Sequence, residues 1–163
     1  MKTNILTASI SIISILFYEP VYGGDDITLC TSNEDIYFSC PFKNGKIISV
    51  CASGNTSPNT GYVQYRYGKP DKLELIHPKK KIPPENIIYY VDATEGSAIR
   101  DILKFKIGEF TYIIHQSFFS GLTVLKNDEI VFKKTCEAGG NAVISRKVNS
   151  GINEIHKSEE DFR

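Results

Sequence analysis

The chain has 163 residues, with 19 basic and 19 acidic side chains and a formal net charge of zero. That balance argues against a nucleic-acid binder or a polybasic membrane-surface protein, both of which need an excess of cations. Hydrophobic residues make up 41 % of the chain, enough for one real core, and tryptophan is absent.

Residues 1–23 have the composition of a secretory signal peptide. Lys2 supplies the positive start, and Ile5 to Phe17 form an apolar run interrupted by Thr7, Ser9, Ser11 and Ser14. Glu19-Pro20 breaks the run, and Val21-Tyr22-Gly23 has small residues at the outer positions of a cleavage box. The run falls short of the roughly 20 residues needed to span a bilayer, so no membrane insertion is expected after cleavage. Export to the periplasm or beyond follows. The mature chain divides into a β domain over 24–145 and a polar C-terminal tail over 146–163.

All four cysteines, Cys30, Cys40, Cys51 and Cys136, lie in the mature part. An even count in an oxidising compartment implies two disulfides. The absence of a CxxC pair, with only three histidines, argues against a zinc site, and no metal or other cofactor is expected. A two-residue turn at Asn44-Gly45 would set Cys40 opposite Ser49, with Cys51 as its diagonal neighbour on the same face. The favoured pairing of the three possible is therefore Cys40–Cys51 across a hairpin, with Cys30–Cys136 tying the ends of the domain. A bulge or a longer loop would help that first bridge.

The periodicity along the mature chain is that of strands. Ile36–Cys40 and Ile47–Cys51 flank Asn44-Gly45, the strongest short hairpin signal. After a turn-rich stretch from Ser53 to Gly61, Tyr62–Gly68 puts Val63, Tyr65 and Tyr67 on one face and Tyr62, Gln64 and Arg66 on the other. Leu73–Ile76 forms a short strand, Lys79-Lys80-Lys81 lies in a proline-bounded loop, and Ile87–Val91 is a further strand. Leu103, Phe105 and Ile107 alternate with lysines, Phe110–His115 follows Gly108-Glu109, and Leu122–Leu125 and Ile130–Phe132 flank Asn127-Asp128. Val143-Ile144 is a candidate last strand. Beyond Arg146 apolar residues thin out to Ile152, Ile155 and Phe162, which predicts a frayed or weakly helical end. Eight to ten short strands at this spacing predict an all-β, single-domain antiparallel sandwich or small barrel.

Catalysis needs a nucleophile or acid–base pair beside an orienting partner. His77 precedes a proline at a strand end, His115 lies within a strand, and His156 is in the tail. No nucleophile elbow, HExxH helix or phosphate-binding loop is present. Asp92 and Glu95 are the loop acids on which an alternative reading, a periplasmic hydrolase or carbohydrate-binding enzyme, would rest. The aromatics are more informative. Tyr62, Gln64 and Arg66 on one strand face combine residue types that dominate interface hot spots, and Phe118-Phe119 sits in the turn-like segment 116–121. These five are the candidate partner-binding residues.

The pattern Leu29-Cys30, then Ser39-Cys40, then Asn44-Gly45-Lys46-Ile47-Ile48-Ser49-Val50-Cys51-Ala52-Ser53, then Gly61-Tyr62-Val63-Gln64-Tyr65-Arg66-Tyr67-Gly68 and Leu73-Glu74-Leu75 resembles a group of small exported proteins of Gram-negative bacteria. The resemblance covers about 30–76 and implies export, without an activity. In plan, though not in motif, the chain is also similar to the periplasmic inhibitors of c-type lysozyme, which are exported, disulfide-bearing β-barrels. Their Ser-Gly-x-x-Tyr loop has no counterpart here, since Ser53-Gly54 and Ser120-Gly121 lack the tyrosine, so no inhibitory residue carries over. The expectation is an exported, non-enzymatic protein that occupies a protein partner, such as a cell-wall hydrolase or a delivered toxin.

Overall fold

Where apolar and polar residues alternate, the chain forms strands, because successive side chains point to opposite faces of a pleated ribbon. The computed structural model describes residues 27–137 and 142–163, so the signal-like segment and Gly139-Gly140 lie outside the described residues. Nine strands fall where the alternation places them: β1 (Asp35–Pro41), β2 (Ile47–Ala52), β3 (Val63–Lys69), β4 (Lys72–His77), β5 (Ile88–Asp92), β6 (Asp101–Ile107), β7 (Phe110–Gln116), β8 (Gly121–Lys126) and β9 (Glu129–Thr135). A two-residue β10 (Asn153–Glu154) adds a tenth. The strands build one sheet in the order β1-β2-β3-β4 and another in the order β10-β5-β6-β7-β8-β9, antiparallel except that β10 runs parallel to β5.

The two sheets enclose a single main core. Tyr37, Phe38, Ile48, Val50, Val63 and Tyr65 meet Ile88, Leu103, Phe105, Ile114, Leu122 and Val124, all buried. Aromatic rings form its centre: Phe105 stacks on Tyr112 at 4.9 Å and lies 5.0 Å from Tyr65, geometry that adds stability beyond the area buried. A smaller cluster of Val91, Ala93, Ile102, Ile113 and Leu125 occupies the opposite face of the second sheet.

The turns follow local chemistry. Asn127 and Asp128 both take positive φ, as a two-residue type I′ hairpin requires. The Asn44-Gly45 turn differs from expectation. The Phe42 amide bonds to the Lys46 carbonyl, leaving three residues in the loop, and Gly45 takes φ +74°. The extra residue shifts the register by one, so that Cys40 lies opposite Ile48 and Ser39 opposite Ser49.

That shift decides the sulfur chemistry. Cys40 now shares the core face with Ile48, whereas Cys51 shares the outer face with Ser49, and cysteines on opposite faces cannot be bridged. The expected Cys40–Cys51 and Cys30–Cys136 pairing is thereby corrected. The disulfides are Cys30–Cys51, which straps the first described segment onto the outer face of β2, and Cys40–Cys136, which ties β1 to the end of β9.

The tail is docked rather than frayed. A short α1 (Val148–Gly151) inserts Val148 into the core, and the Ile155 amide bonds to the Tyr90 carbonyl at 2.9 Å. Gly151 permits the close approach: a Cβ there would collide with the Tyr37 hydroxyl. Val143-Ile144 forms no strand, but Ile144 is buried and its amide donates to the Gln116 side chain. Farther on, Lys104 reaches out of β6 to Asp161, 2.8 Å away and fully buried, and to Glu160 at 2.6 Å.

Candidate functional site

The strand face expected to present Tyr62, Gln64 and Arg66 outward is covered. Residues 27–34, held by the Cys30–Cys51 bridge, lie over it, and Gln64 and Arg66 are only 4 % and 6 % exposed. The Arg66 guanidinium donates two bonds to the Glu34 carboxylate, at 2.7 and 2.6 Å, and further bonds to the Leu29 carbonyl and the Gln64 side chain. Gln64 in turn donates to the Pro78 carbonyl. Tyr62 is half-buried; its hydroxyl donates to Glu34 at 2.7 Å and accepts from Lys81 at 2.9 Å. Burial alone would raise the Glu34 pKa, but bonds from Arg66, the Thr31 amide and Tyr62, together with the Arg66 charge, bring it down to about 2. A forked, desolvated pair of this kind fixes a segment in place. These residues clamp the fold.

Phe118 and Phe119 are placed differently. They stand at the tip of the β7–β8 connection, 93 % and 65 % exposed, with their rings in a T-shaped pair 4.8 Å apart. The base of the tip is fixed from several sides. The Ser117 hydroxyl donates to the Phe119 carbonyl, the Cys136 amide to the Ser120 carbonyl, and the Ser120 hydroxyl to the Ala142 carbonyl. Phe118 borders a shallow groove of about 680 Å³ with the exposed side chains Ile99 and Phe162. Phe119 borders a second hollow lined by Lys43, Lys133 and Lys134 with Glu137. The result is an apolar projection with cations on one flank.

Beneath the tip lies His115, in β7 and buried. Burial first, and then the charges of Arg100 and Lys133, lower its pKa to about 4, so it is neutral at physiological pH. Its Nδ1 and the Thr123 hydroxyl in the neighbouring strand are buried polar atoms without a protein partner. His77 stacks on Phe105 at 5.4 Å, and burial lowers its pKa too. A groove of about 590 Å³ brings His77 and His156 to one lining with Lys104 and Glu160, a convergence that sequence order conceals.

The loop acids each have a local partner. Asp92 accepts from the Thr94 amide at 3.0 Å, and Glu95 pairs with Lys157 at 3.4 Å. Among the described residues the one cluster with metal-ligand spacing is Cys30, Glu34 and Cys51, whose sulfurs are consumed in a disulfide. No helix among the described residues is long and apolar enough to cross a membrane.

Fold and site together define a disulfide-stapled antiparallel β-sandwich that displays a fixed aromatic tip. No family model, curated protein or solved structure matches the chain.

Proposed function

We propose that the protein is an exported, non-enzymatic binding protein that occupies a protein partner in the periplasm, a cell-wall hydrolase or a delivered toxin, with Phe118 and Phe119 as its insertion point. The observation that carries this reading is the exposure of two adjacent phenyl rings on a loop whose base is hydrogen-bonded in place. Large apolar rings held in water mark contact sites, and burying each stabilises a complex by roughly 1.5–3 kcal/mol before the costs of association. Pre-ordering the loop reduces those costs. Lys133 and Lys134 beside the tip suit a cleft with acidic walls, such as the paired carboxylates of a glycan hydrolase. Two disulfides fit an oxidising compartment.

The test is inhibition of purified muramidases, amidases and secreted antibacterial toxins by the mature protein and by its F118S/F119S variant. We expect one target to be inhibited and the double substitution to weaken inhibition at least about 30-fold, the scale of a hot-spot loss. Inhibition retained by the variant, or absent across the panel, contradicts the proposal.

A further inference from the structure

One corner of the sandwich carries a feature independent of the Phe118 tip. Four hairpins meet there. Lys46 follows the β1–β2 turn, Leu75 the β3–β4 turn, Phe110 the Gly108-Glu109 turn, and Phe132 the Asn127-Asp128 turn. The sheets part between them, leaving an open cleft of about 370 Å³. That is the lower end of the ~300–1,000 Å³ range of small-molecule sites.

The two walls differ in chemistry. The second sheet supplies an almost wholly apolar wall, with Phe110, Leu122, Val124 and Phe132. The first sheet supplies the polar wall: Tyr65, Tyr67, the Lys46 ammonium and the Glu74 carboxylate paired with it, with Tyr112 across from them. Burial, with Tyr112 and Tyr67 nearby, holds the Tyr65 phenol well above its ordinary pKa, and burial also raises Tyr112, so both hydroxyls keep their protons at neutral pH. Lys46 sits 5.1 Å over the Tyr67 ring. Its partner Glu74, 2.7 Å away, is a solvent-exposed residue, and exposed pairs of this kind contribute little and exchange readily. A ligand that matches this cleft is apolar along its length and ends in an oxygen acceptor, preferably anionic.

We propose that the cleft binds a free single-chain fatty acid, its carboxylate accepting from Lys46 and the tyrosine hydroxyls and its chain lying on Phe110, Leu122, Val124 and Phe132. The volume suits one chain rather than the two of a membrane phospholipid.

The mature protein is titrated calorimetrically with dodecanoate and dodecyltrimethylammonium below their micelle concentrations and with dodecanol below its solubility limit. Dodecanoate is expected to bind saturably, one per chain, and at least about tenfold more tightly than the other two. Lys46→Met removes that preference. Val131→Trp, at an exposed strand position on the cleft, abolishes binding, and Leu75→Trp is a second block should the first fail to fold. F118S/F119S binds dodecanoate as the parent does, which separates this site from the tip. Equal affinity for the three amphiphiles, no saturation by about 1 mM, or a loss with F118S/F119S instead of Val131→Trp overturns the proposal. Co-sedimentation with phosphatidylglycerol vesicles in place of solution binding to dodecanoate would assign the chain to a membrane and overturn it as well.

Discussion

At the scale of residues, two buried titratable groups set how the protein responds to acid. Glu34 is held at about 2, below its ordinary 4.5, and this contribution to stability is complete above pH 4.5 and lost as pH falls toward 2. His115 is held at about 4, below its ordinary 6.5, so the unfolded chain takes up a proton that the folded chain resists. Stability therefore also falls between pH 6.5 and 4, by about 3 kcal/mol for a shift of this size. Urea unfolding of the parent across this range is expected to show both losses, whereas His115→Leu removes the larger part of the upper one and leaves the smaller fall that the depressed His77 contributes below pH 6.5. A slope unchanged in His115→Leu would show that another group is responsible. Arg66→Met leaves the buried Glu34 carboxylate with only the Tyr62 and Thr31 donors and the exposed Lys81 at 3.6 Å, and is expected to cost about 3 kcal/mol at pH 7. A cost below about 1 kcal/mol there would mean that the 27–34 cover does not depend on the clamp.

At the scale of elements, loop length governs the cross-links. The three-residue connection at 43–45 puts Cys40 on the core face, and the entropy of the closed loops predicts how much each bridge contributes. With a sequence separation of 96, Cys40–Cys136 should stabilise by roughly 4–5 kcal/mol, and Cys30–Cys51, with a separation of 21, by about 3 kcal/mol. Thermal melts of the Cys→Ala pairs C40A/C136A and C30A/C51A test this order. Only the second is expected to accelerate proteolysis within 27–34. The strands themselves were legible in the sequence, since Leu103, Phe105 and Ile107 between lysines can face a core in only one way. The pairing was not, because one added turn residue exchanges the faces of Cys40 and leaves the composition unchanged. The burial of Gln64 and Arg66 is hidden for a similar reason: polar residues on a strand face look outward until a distant segment bringing Glu34 covers them.

At the scale of the whole molecule, the fold has one covered sheet face, one docked tail and one bare aromatic projection. The tail was hard to read because its anchors, Val148, Ile152 and Asp161, are too sparse to show a period, and Lys104, which holds Asp161, is 57 residues away. Phe118-Phe119 was visible in the sequence as an unusual pair in a turn, but its exposure depends on the Ser120 and Gln116 contacts to residues 142 and 144, which no local pattern reveals. The corner cleft, drawn from four hairpins, had no sequence signal at all. The central claim concerns the projection, and photo-cross-linking in living cells tests it most directly. p-Benzoylphenylalanine placed at position 118 is expected to trap one discrete partner, which F119S weakens and which the same probe at the exposed Lys106 does not trap. No adduct at position 118, or the same adduct from both positions, would contradict it.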